Sequence, residues 1–370
     1  MMSNTFKTWK KQHDSEDLQP FSYDREGLLW LKVKSIVRKG IISEFVASTN
    51  ITLSETSLTK QFEELFNLLS KDVEKSHKLL DHYILKKNIE LLENLDLEKL
   101  VSELYKLKVF EWGGDYQNSL DKYLVSHYVK AISSYDLLLS KFDTEISRAV
   151  QGYVLNSWYN HWSSILIEHL FKSHSSVLPT VGQIKSVDFF INDVPFDLKV
   201  TYFPTEYLKQ KRKEKGLPVE LTYLKSRARE FGIQFNSANS PSDIYYEIVE
   251  KFKDRGDSKC LNVIKEIKES NLSIVNDTIQ SPKMLAKWLY ENQGEMRFGS
   301  ENRLFLVLID TDDFANSWKL KRNIDLLRPS INSFLDDFTS KKIEDLKIEF
   351  TYPGRPQIFH TLADIIFIKK

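Results

Sequence analysis

The sequence predicts a helix-rich α/β protein in two parts, a helical part followed by a mixed part. Glycine and proline are scarce, with 12 and 10 in 370 residues, which favours helices over loop-rich folds. Hydrophobic residues make up 41% and aromatic residues 12% of the chain, enough to bury a core. After about residue 180 the apolar spacing changes from 3.6 residues to two, which indicates that strands begin there.

The charge and cysteine counts exclude several classes of protein. The 52 basic and 52 acidic side chains cancel, which argues against a protein that coats nucleic acid over its whole surface. A single cysteine, Cys260, excludes a disulfide framework and a zinc site with two or more thiolates. The sequence shows neither a run of 18 apolar residues nor an apolar leader, so we expect a cytoplasmic protein without a membrane partner.

Residues 1–148 are predicted to form a mostly helical domain whose role the sequence does not indicate. Apolar residues between 53 and 107 recur at spacings of three and four, which predicts helices. The stretch 28–46 fits either one helix broken near Gly40 or two strands. The WGGD motif at 112–115 is the clearest break in this part.

Residues 149–370 are predicted to form a domain of mixed helices and strands. An amphipathic helix over 151–174 is followed by two residues that break helices, Pro179 and Gly182. Two strands, 186–191 and 194–202, are joined by Asn192-Asp193, a pair that tolerates the positive φ of a two-residue hairpin turn. The remainder predicts helices near 241–252, 257–269, 283–292 and 329–338, and strands at 302–310, 346–352 and 362–369.

The predicted hairpin sets the register of six apolar side chains and two carboxylates. The apolar residues share one face, the predicted core face, in three pairs: Ile191 with Val194, Phe189 with Phe196, and Val187 with Leu198. On the other face Asp188 stands opposite Asp197, and Lys199 follows two residues later. Carboxylates whose Cβ atoms are about 4.5–5.5 Å apart do not both ionise without a compensating cation.

A hard divalent cation is the natural compensation for such a pair. Mg²⁺ takes one or two carboxylates and completes its shell with water and substrate phosphate. Lys199 beside it can position or deprotonate the attacking water and offset the charge that develops on the phosphate. The alternative is a solvated acidic hairpin in which Lys199 pairs with one acid, but this does not explain why both acids occupy paired positions.

Asp188, an eight-residue gap and Asp197-Leu198-Lys199 resemble the PD-(D/E)xK signature of nucleases. In that family an acidic residue on one strand is followed by acid-x-Lys on the next, after a helix that carries a glutamate. Here Glu168 stands twenty residues before Asp188. The resemblance covers about 150–310 and is greatest to type II restriction endonucleases and related bacterial defence nucleases. Val187 replaces the first proline of the motif, and the helical half has no counterpart in the family.

The resemblance implies a restriction-endonuclease-like mixed sheet flanked by helices. It implies an endonuclease that uses Mg²⁺, or Mn²⁺ in its place, to hydrolyse DNA phosphodiesters, as a type II restriction or antiphage defence enzyme. Asp188 and Asp197, with the Leu198 carbonyl, would hold the metal. Lys199 would orient or activate water, and Glu168 would support the metal or the water.

The expected partners are double-stranded DNA and either a second copy of the chain or a partner from a defence operon. Two alternatives stay open at this point. One is an RNase or junction-resolving nuclease of the same fold, and the other is a catalytically silent module that binds nucleic acid or a partner.

A basic segment follows the predicted hairpin. Residues 207–229 carry eight basic and two acidic side chains, a net charge of +6. Next to a catalytic strand, such a segment suits contact with phosphates, although a solvated helix face is the alternative. The predicted nucleic-acid contacts are Lys209, Lys211, Arg212, Lys213, Lys215, Lys225, Arg227 and Arg229.

Overall fold

The computed structural model describes residues 5–110, 120–292 and 299–370. Its helix-rich α/β class is the predicted one, with a six-stranded mixed sheet and helices around it. The WGGD motif at 112–115 lies outside the described residues. No helix in the described part of the chain is long and apolar enough to cross a membrane.

Helices make up the first part of the chain. They are α1 (Thr5–Asp14), α2 (Arg25–Ile36), α3 (Lys39–Thr49), α4 (Leu58–Leu69), α5 (Val73–Glu93), α6 (Leu97–Leu104), α7 (Leu120–Leu124), α8 (Tyr135–Lys141) and α9 (Ser147–Lys172). The ambiguous stretch 28–46 is therefore two helices and not two strands. The Asp24 carboxylate caps the N-terminus of α2 by accepting from the Gly27 N–H at 2.8 Å.

The second part holds all the strands of the described chain. Its elements are β1 (Val177–Ile184), β2 (Val187–Ile191), β3 (Val194–Tyr202), α10 (Thr205–Glu214), α11 (Glu220–Glu230), α12 (Pro241–Arg255), α13 (Ser258–Gln280), α14 (Pro282–Glu291), β4 (Arg303–Ile309), α15 (Ile324–Phe338), α16 (Ile343–Leu346), β5 (Lys347–Tyr352) and β6 (Arg355–Lys369). Every strand and helix predicted for this part is present.

Strand β1 is an element that the sequence analysis missed. Pro179 and Gly182 lie inside it, and both were interpreted only as residues that break the preceding helix. Proline is tolerated there because β1 is an edge strand. A side chain at Gly182 would clash with the carbonyl oxygen of Ser35 in α2, so this glycine permits close approach of a helix to the sheet.

The strand order in the sheet is β1-β2-β3-β4-β6-β5. Strands β1, β2 and β3 form an antiparallel meander, β3, β4 and β6 are parallel, and β5 pairs antiparallel with β6. The connection from β3 to β4 contains α10 to α14. Helices α9 and α15 cover one face of the sheet, and α10, α13 and α14 cover the other.

The N-terminal helices share a core with β1 and β2. Ile184, Val187 and Phe190 of the meander are buried together with residues of α2, α4 and α5, among them Trp30 and Phe66. Residues on both sides of the predicted boundary between 148 and 149 therefore contribute to one hydrophobic cluster. That boundary falls in the first turn of α9.

Candidate active site at the β2–β3 hairpin

The hairpin has the predicted turn and register. Asn192 and Asp193 have φ angles of 50° and 62°, the left-handed conformation that a two-residue hairpin turn requires. Phe189 lies opposite Phe196, and Ile191 lies opposite Val194. Both pairs agree with the register predicted from the sequence.

The predicted core face is correct for five of its six residues. Phe189, Ile191, Val194 and Phe196 are buried under α9 and α15, and Leu198 packs against them. Val187 is the exception, because it packs with the N-terminal helices. The β1–β2 register shifts between Val187 and Phe189, and Ser186 adopts a φ of 66°, so Val187 does not follow the alternation of the rest of the strand.

Asp188 and Asp197 lie where β2 and β3 stop pairing. The ladder ends at Phe189 and Phe196, and beyond it the Asp188 carboxylate accepts from the Leu198 N–H at 2.8 Å. The Asp197 N–H points the other way and donates to the Asn302 carbonyl at 3.0 Å. The acids lie on adjacent strands, as predicted, but they are not the register pair that the sequence predicted, because the Asp188 side chain takes the place of the backbone ladder there.

Burial raises the pKa of Asp188 to about 6, from an ordinary value of 3.8. The Leu198 N–H opposes that shift, whereas the charges of Asp197 and Glu168 add to it, and Lys199 lowers the pKa. Within the described residues no lysine or arginine forms an ion pair with Asp188. A cation bound at the site would therefore stabilise the ionised form.

Asp197 is 6% exposed and lies between two cations. Its Oδ1 accepts a hydrogen bond of 2.8 Å from Lys199 Nζ. Its Oδ2 is 3.6 Å from Arg303 Nε and has no hydrogen-bond partner in the described part of the chain. Leaving a buried polar atom unsatisfied costs about 1–3 kcal/mol, which a ligand of that oxygen would recover.

Arg303 and Glu301 are site residues that the sequence analysis missed. Arg303 is the register partner of Asp197 on β4. Its guanidinium donates to Glu301 at 3.1 Å and lies 5.2 Å from the ring centroid of Tyr290. Burial raises the pKa of Glu301, which also accepts from the Ser186 hydroxyl. The sequence did contain a signal for Arg303, because this charged residue lies inside the strand predicted at 302–310, and a charge buried in a strand requires a partner.

Glu168 lies on α9, in the helix that the sequence predicted. Its carboxylate accepts from Lys172 Nζ, one turn further along, at 2.8 Å. Its charge contributes to the raised pKa of Asp188. The connection of Glu168 to Asp188 is therefore electrostatic, which suits a supporting role better than direct ligation.

The chemistry of these residues fits a divalent cation that relies on water and substrate for most of its ligands. Asp188, Asp197 and the Leu198 carbonyl offer hard oxygen atoms of the kind that Mg²⁺ prefers. The buried Asp197 Oδ2 still has the capacity to coordinate. Among the described residues, however, no group of three or more His, Cys, Asp or Glu side chains is arranged to hold a metal.

The N-terminal helices hold the turn of the hairpin through ion pairs around the buried Lys32. The Asp193 carboxylate accepts from Lys32 Nζ at 3.0 Å and from the Arg25 guanidinium at 2.6 Å. Lys32 is 1% exposed and also pairs with Asp81 at 2.8 Å. Arg25 in turn pairs with Glu74 of α5 at 3.0 Å. Helices α2 and α5 therefore position the strands that carry the two acids.

The basic segment 207–229 does not form one continuous basic surface. Arg212 is 2% exposed and donates to the Pro218 carbonyl, Ser270 and Asn271, so it is not available to phosphate. Four predicted contacts pair with nearby carboxylates: Lys209 with Glu206, Lys211 with Glu214, Lys215 with Asp277, and Arg227 with Glu230. Lys213 and Arg229 are exposed and Lys225 is half-buried.

Comparisons of the chain with protein-family models, with curated proteins and with solved structures found no match.

Proposed function

We propose that the protein is a divalent-cation-dependent nuclease that hydrolyses DNA phosphodiesters at Asp188, Asp197 and Lys199. The observation that carries the proposal is the meeting of two carboxylates and an ammonium where the β2–β3 ladder ends. The order of the strands supports a restriction-endonuclease-like arrangement. Strands β1 to β3 form an antiparallel meander, and the helical connection after β3 leads to β4, which is parallel to β3.

Each residue has a distinct role in this proposal. Asp188, Asp197 and the Leu198 carbonyl would hold Mg²⁺, or Mn²⁺ in its place. A bound Mg²⁺ lowers the pKa of coordinated water and offsets negative charge on the phosphate. Lys199, hydrogen-bonded to Asp197, orients the attacking water and stabilises the developing charge. Glu168 supports the ligands from α9.

Cleavage assays on three substrates test the proposal. Duplex plasmid DNA, a structured RNA and a four-way DNA junction are incubated with the protein in Mg²⁺, in Mn²⁺ and in EDTA. We expect metal-dependent cleavage of the duplex. Preferential cleavage of RNA or of the junction would indicate the corresponding nuclease, and the absence of cleavage under all conditions would contradict nuclease activity.

A second candidate is a catalytically silent module that binds nucleic acid or a partner. It is favoured by one observation, namely that Lys199 and Arg303 already provide positive charge at Asp197. Titration calorimetry with Mg²⁺ separates the two candidates. Metal binding that is lost in Asp188→Asn supports the nuclease, whereas DNA binding without any metal binding supports the silent module.

We propose a setting in cytoplasmic bacterial restriction or antiphage defence, with the chain acting as a homodimer or with an operon partner. Support comes only from the similarity of the Asp188 to Lys199 motif to nucleases of that class. A DNA methyltransferase gene next to the gene for this chain would favour restriction. Light scattering of the purified protein would show whether it forms a dimer.

Replacement of Lys199 by alanine is expected to lower the single-turnover cleavage rate about 10²–10³-fold, the usual effect of losing one donor that stabilises transition-state charge. DNA affinity should change little, because the lost contact is made in the transition state. Single-turnover kinetics and fluorescence anisotropy measure the two quantities. Lys209→Ala, at another ion-paired lysine, is the control. Equal losses in cleavage rate and in DNA affinity would show that Lys199 only contacts a phosphate of the bound DNA.

The residues Lys213, Lys225 and Arg229 are expected to contact DNA phosphates. In the described part of the chain none of the three forms an ion pair with a carboxylate. Their joint replacement by alanine should flatten the slope of log affinity against log salt by roughly two to three units, at about 0.9 per phosphate contact. Binding should weaken about equally on all sequences.

The matched control for this prediction is the triple variant Lys209→Ala, Lys211→Ala and Lys215→Ala, whose lysines pair with carboxylates. Affinity is measured by fluorescence anisotropy over a range of salt concentrations. If both triple variants leave the salt slope unchanged, the segment is a solvated surface and DNA binds elsewhere.

A further inference from the structure

A cleft of about 550 Å³ lies between the helices inserted after β3 and the carboxyl ends of β3 and β4. Phe203, directly after β3, and residues 311–315, soon after β4, line it together with α10 to α13. Ligands of open α/β sheets bind beyond the carboxyl ends of parallel strands, and the volume is within the usual range for small-molecule sites. Asp197 lies near the other end of β3, about 20 Å away along the strand.

Four aromatic side chains line this cleft. The rings of Phe203 and Phe314 stack with centroids 6.3 Å apart and planes 18° apart. Tyr245 and Tyr246 of α12 also line it, with centroids 5.8 Å apart in an edge-to-face arrangement. Flat apolar faces next to open space favour a ligand that contains a planar ring, because rings stack on aromatic side chains.

Some charged side chains of the cleft form ion pairs, whereas Glu220 does not within the described residues. Lys253 pairs with Glu250, and Lys268 pairs with Asp312. Glu220 forms no ion pair within the described residues, and only one of its carboxylate oxygens accepts a hydrogen bond there. The other oxygen is therefore available to a ligand that donates an N–H.

A polar relay orients that carboxylate. The buried Arg212 donates to Asn271 Oδ1 at 2.7 Å, and Asn271 Nδ2 donates to Glu220 at 2.6 Å. Burial and then the charge of Glu220 raise the pKa of Tyr245 to about 12, which indicates that the phenol is near the carboxylate. Arg212, which the sequence analysis assigned to DNA phosphates, thus supports an acceptor in the cleft.

We propose that this cleft binds a nucleobase with an exocyclic amine, its ring against the aromatic side chains and its amine donating to Glu220. Adenine and cytosine present such an amine. At the same ring position hypoxanthine and uracil carry a carbonyl, which would face the carboxylate with an acceptor. The base belongs either to a free nucleotide or to an unstacked position of a nucleic-acid strand. The inference does not depend on nuclease activity.

Cytidine and uridine are the matched probes, with adenosine and inosine as a second pair. Binding to the full-length protein in EDTA is measured by ligand-observed NMR. We expect cytidine and adenosine to bind at least about tenfold more tightly than uridine and inosine, the effect of one hydrogen bond to a charged group. Glu220→Gln should abolish that preference. Glu250→Gln, at a neutralised acid of the same cleft, should retain it.

Further experiments identify the source of the base and guard against misfolding. Oligo-dC and oligo-dT are compared with the free nucleosides: an amine preference confined to the oligonucleotides indicates an unstacked base, and one confined to nucleosides indicates a small-molecule site. Phe314→Leu should weaken every ligand, and Asp336→Asn, at an exposed carboxylate of α15, should weaken none. Equal binding of amine and carbonyl bases, a preference that survives Glu220→Gln in folded protein, or no binding of any probe would overturn the proposal.

Discussion

Asp188→Asn and Asp197→Asn are each expected to abolish Mg²⁺-supported cleavage of duplex DNA. Each substitution removes one of the two anionic groups that would hold the cation, and an amide oxygen is a weaker ligand for a hard metal. Cleavage is measured in excess Mg²⁺ and Mn²⁺. Asp336→Asn, at a highly exposed carboxylate of α15, is the control. Full activity in either site variant would exclude the proposed chemistry.

The stability of the two variants should change in opposite directions. The pKa of Asp188 is raised to about 6 by burial, so the folded protein binds more protons than the unfolded chain between pH 3.8 and 6. The native protein therefore loses stability as pH rises through that window. A shift of about two units corresponds to roughly 3 kcal/mol, and Asp188→Asn should be more stable than the native protein by up to that amount at pH 7.

Asp197→Asn should instead be less stable at pH 7, by about 3 kcal/mol, because it removes a buried carboxylate between Lys199 and Arg303. Urea unfolding at several pH values in EDTA measures both effects. A gain in stability for Asp197→Asn would show that the two cations do not stabilise that carboxylate.

Lys32→Met is expected to lower the free energy of unfolding by about 1–3 kcal/mol, because the hydrogen bond from the Lys32 ammonium to Asp193 and its ion pair with Asp81 are lost. Lys32 is almost fully buried, and its removal leaves Asp81 and Asp193 without their shared cation. We also expect slower cleavage, because the turn between β2 and β3 loses a contact that positions it. Urea unfolding and single-turnover kinetics measure the two effects.

Lys185→Met provides the matched control. Lys185 pairs with Glu16 across the same two regions of the chain, but it is 70% exposed, so its loss should cost less than about 1 kcal/mol. Similar losses of stability in the two methionine variants would show that burial of Lys32 does not strengthen its contact with the hairpin.

Local patterns were sufficient for much of the fold. Asn192 and Asp193 predicted a turn of positive φ, and the alternation on either side predicted the register of Phe189 with Phe196. The helices and strands of the second half also follow apolar periodicity. The stretch 28–46 could not be assigned because α2 is buried on almost all sides, which removes the amphipathic contrast that identifies a helix.

Other features depend on contacts between distant segments. The acid pair was identified because Asp188 and Asp197 belong to one hairpin, whereas Arg303 joins them from a strand more than a hundred residues later. Arg212 carries the same charge as its exposed neighbours, and only the packing of α10 against α13 shows that it is buried. Strand β1 was missed because its proline and glycine serve an edge position and a close helix contact.

The sequence by itself determined the α/β class, the hairpin and the two carboxylates on neighbouring strands, because turn chemistry and strand alternation act over a few residues. Only the tertiary structure decided that the N-terminal helices hold the hairpin through Lys32 and that Arg303 faces Asp197. It also decided which basic residues reach the surface. Burial and ion pairing are properties of segments that meet in space, and spacing along the chain does not encode them.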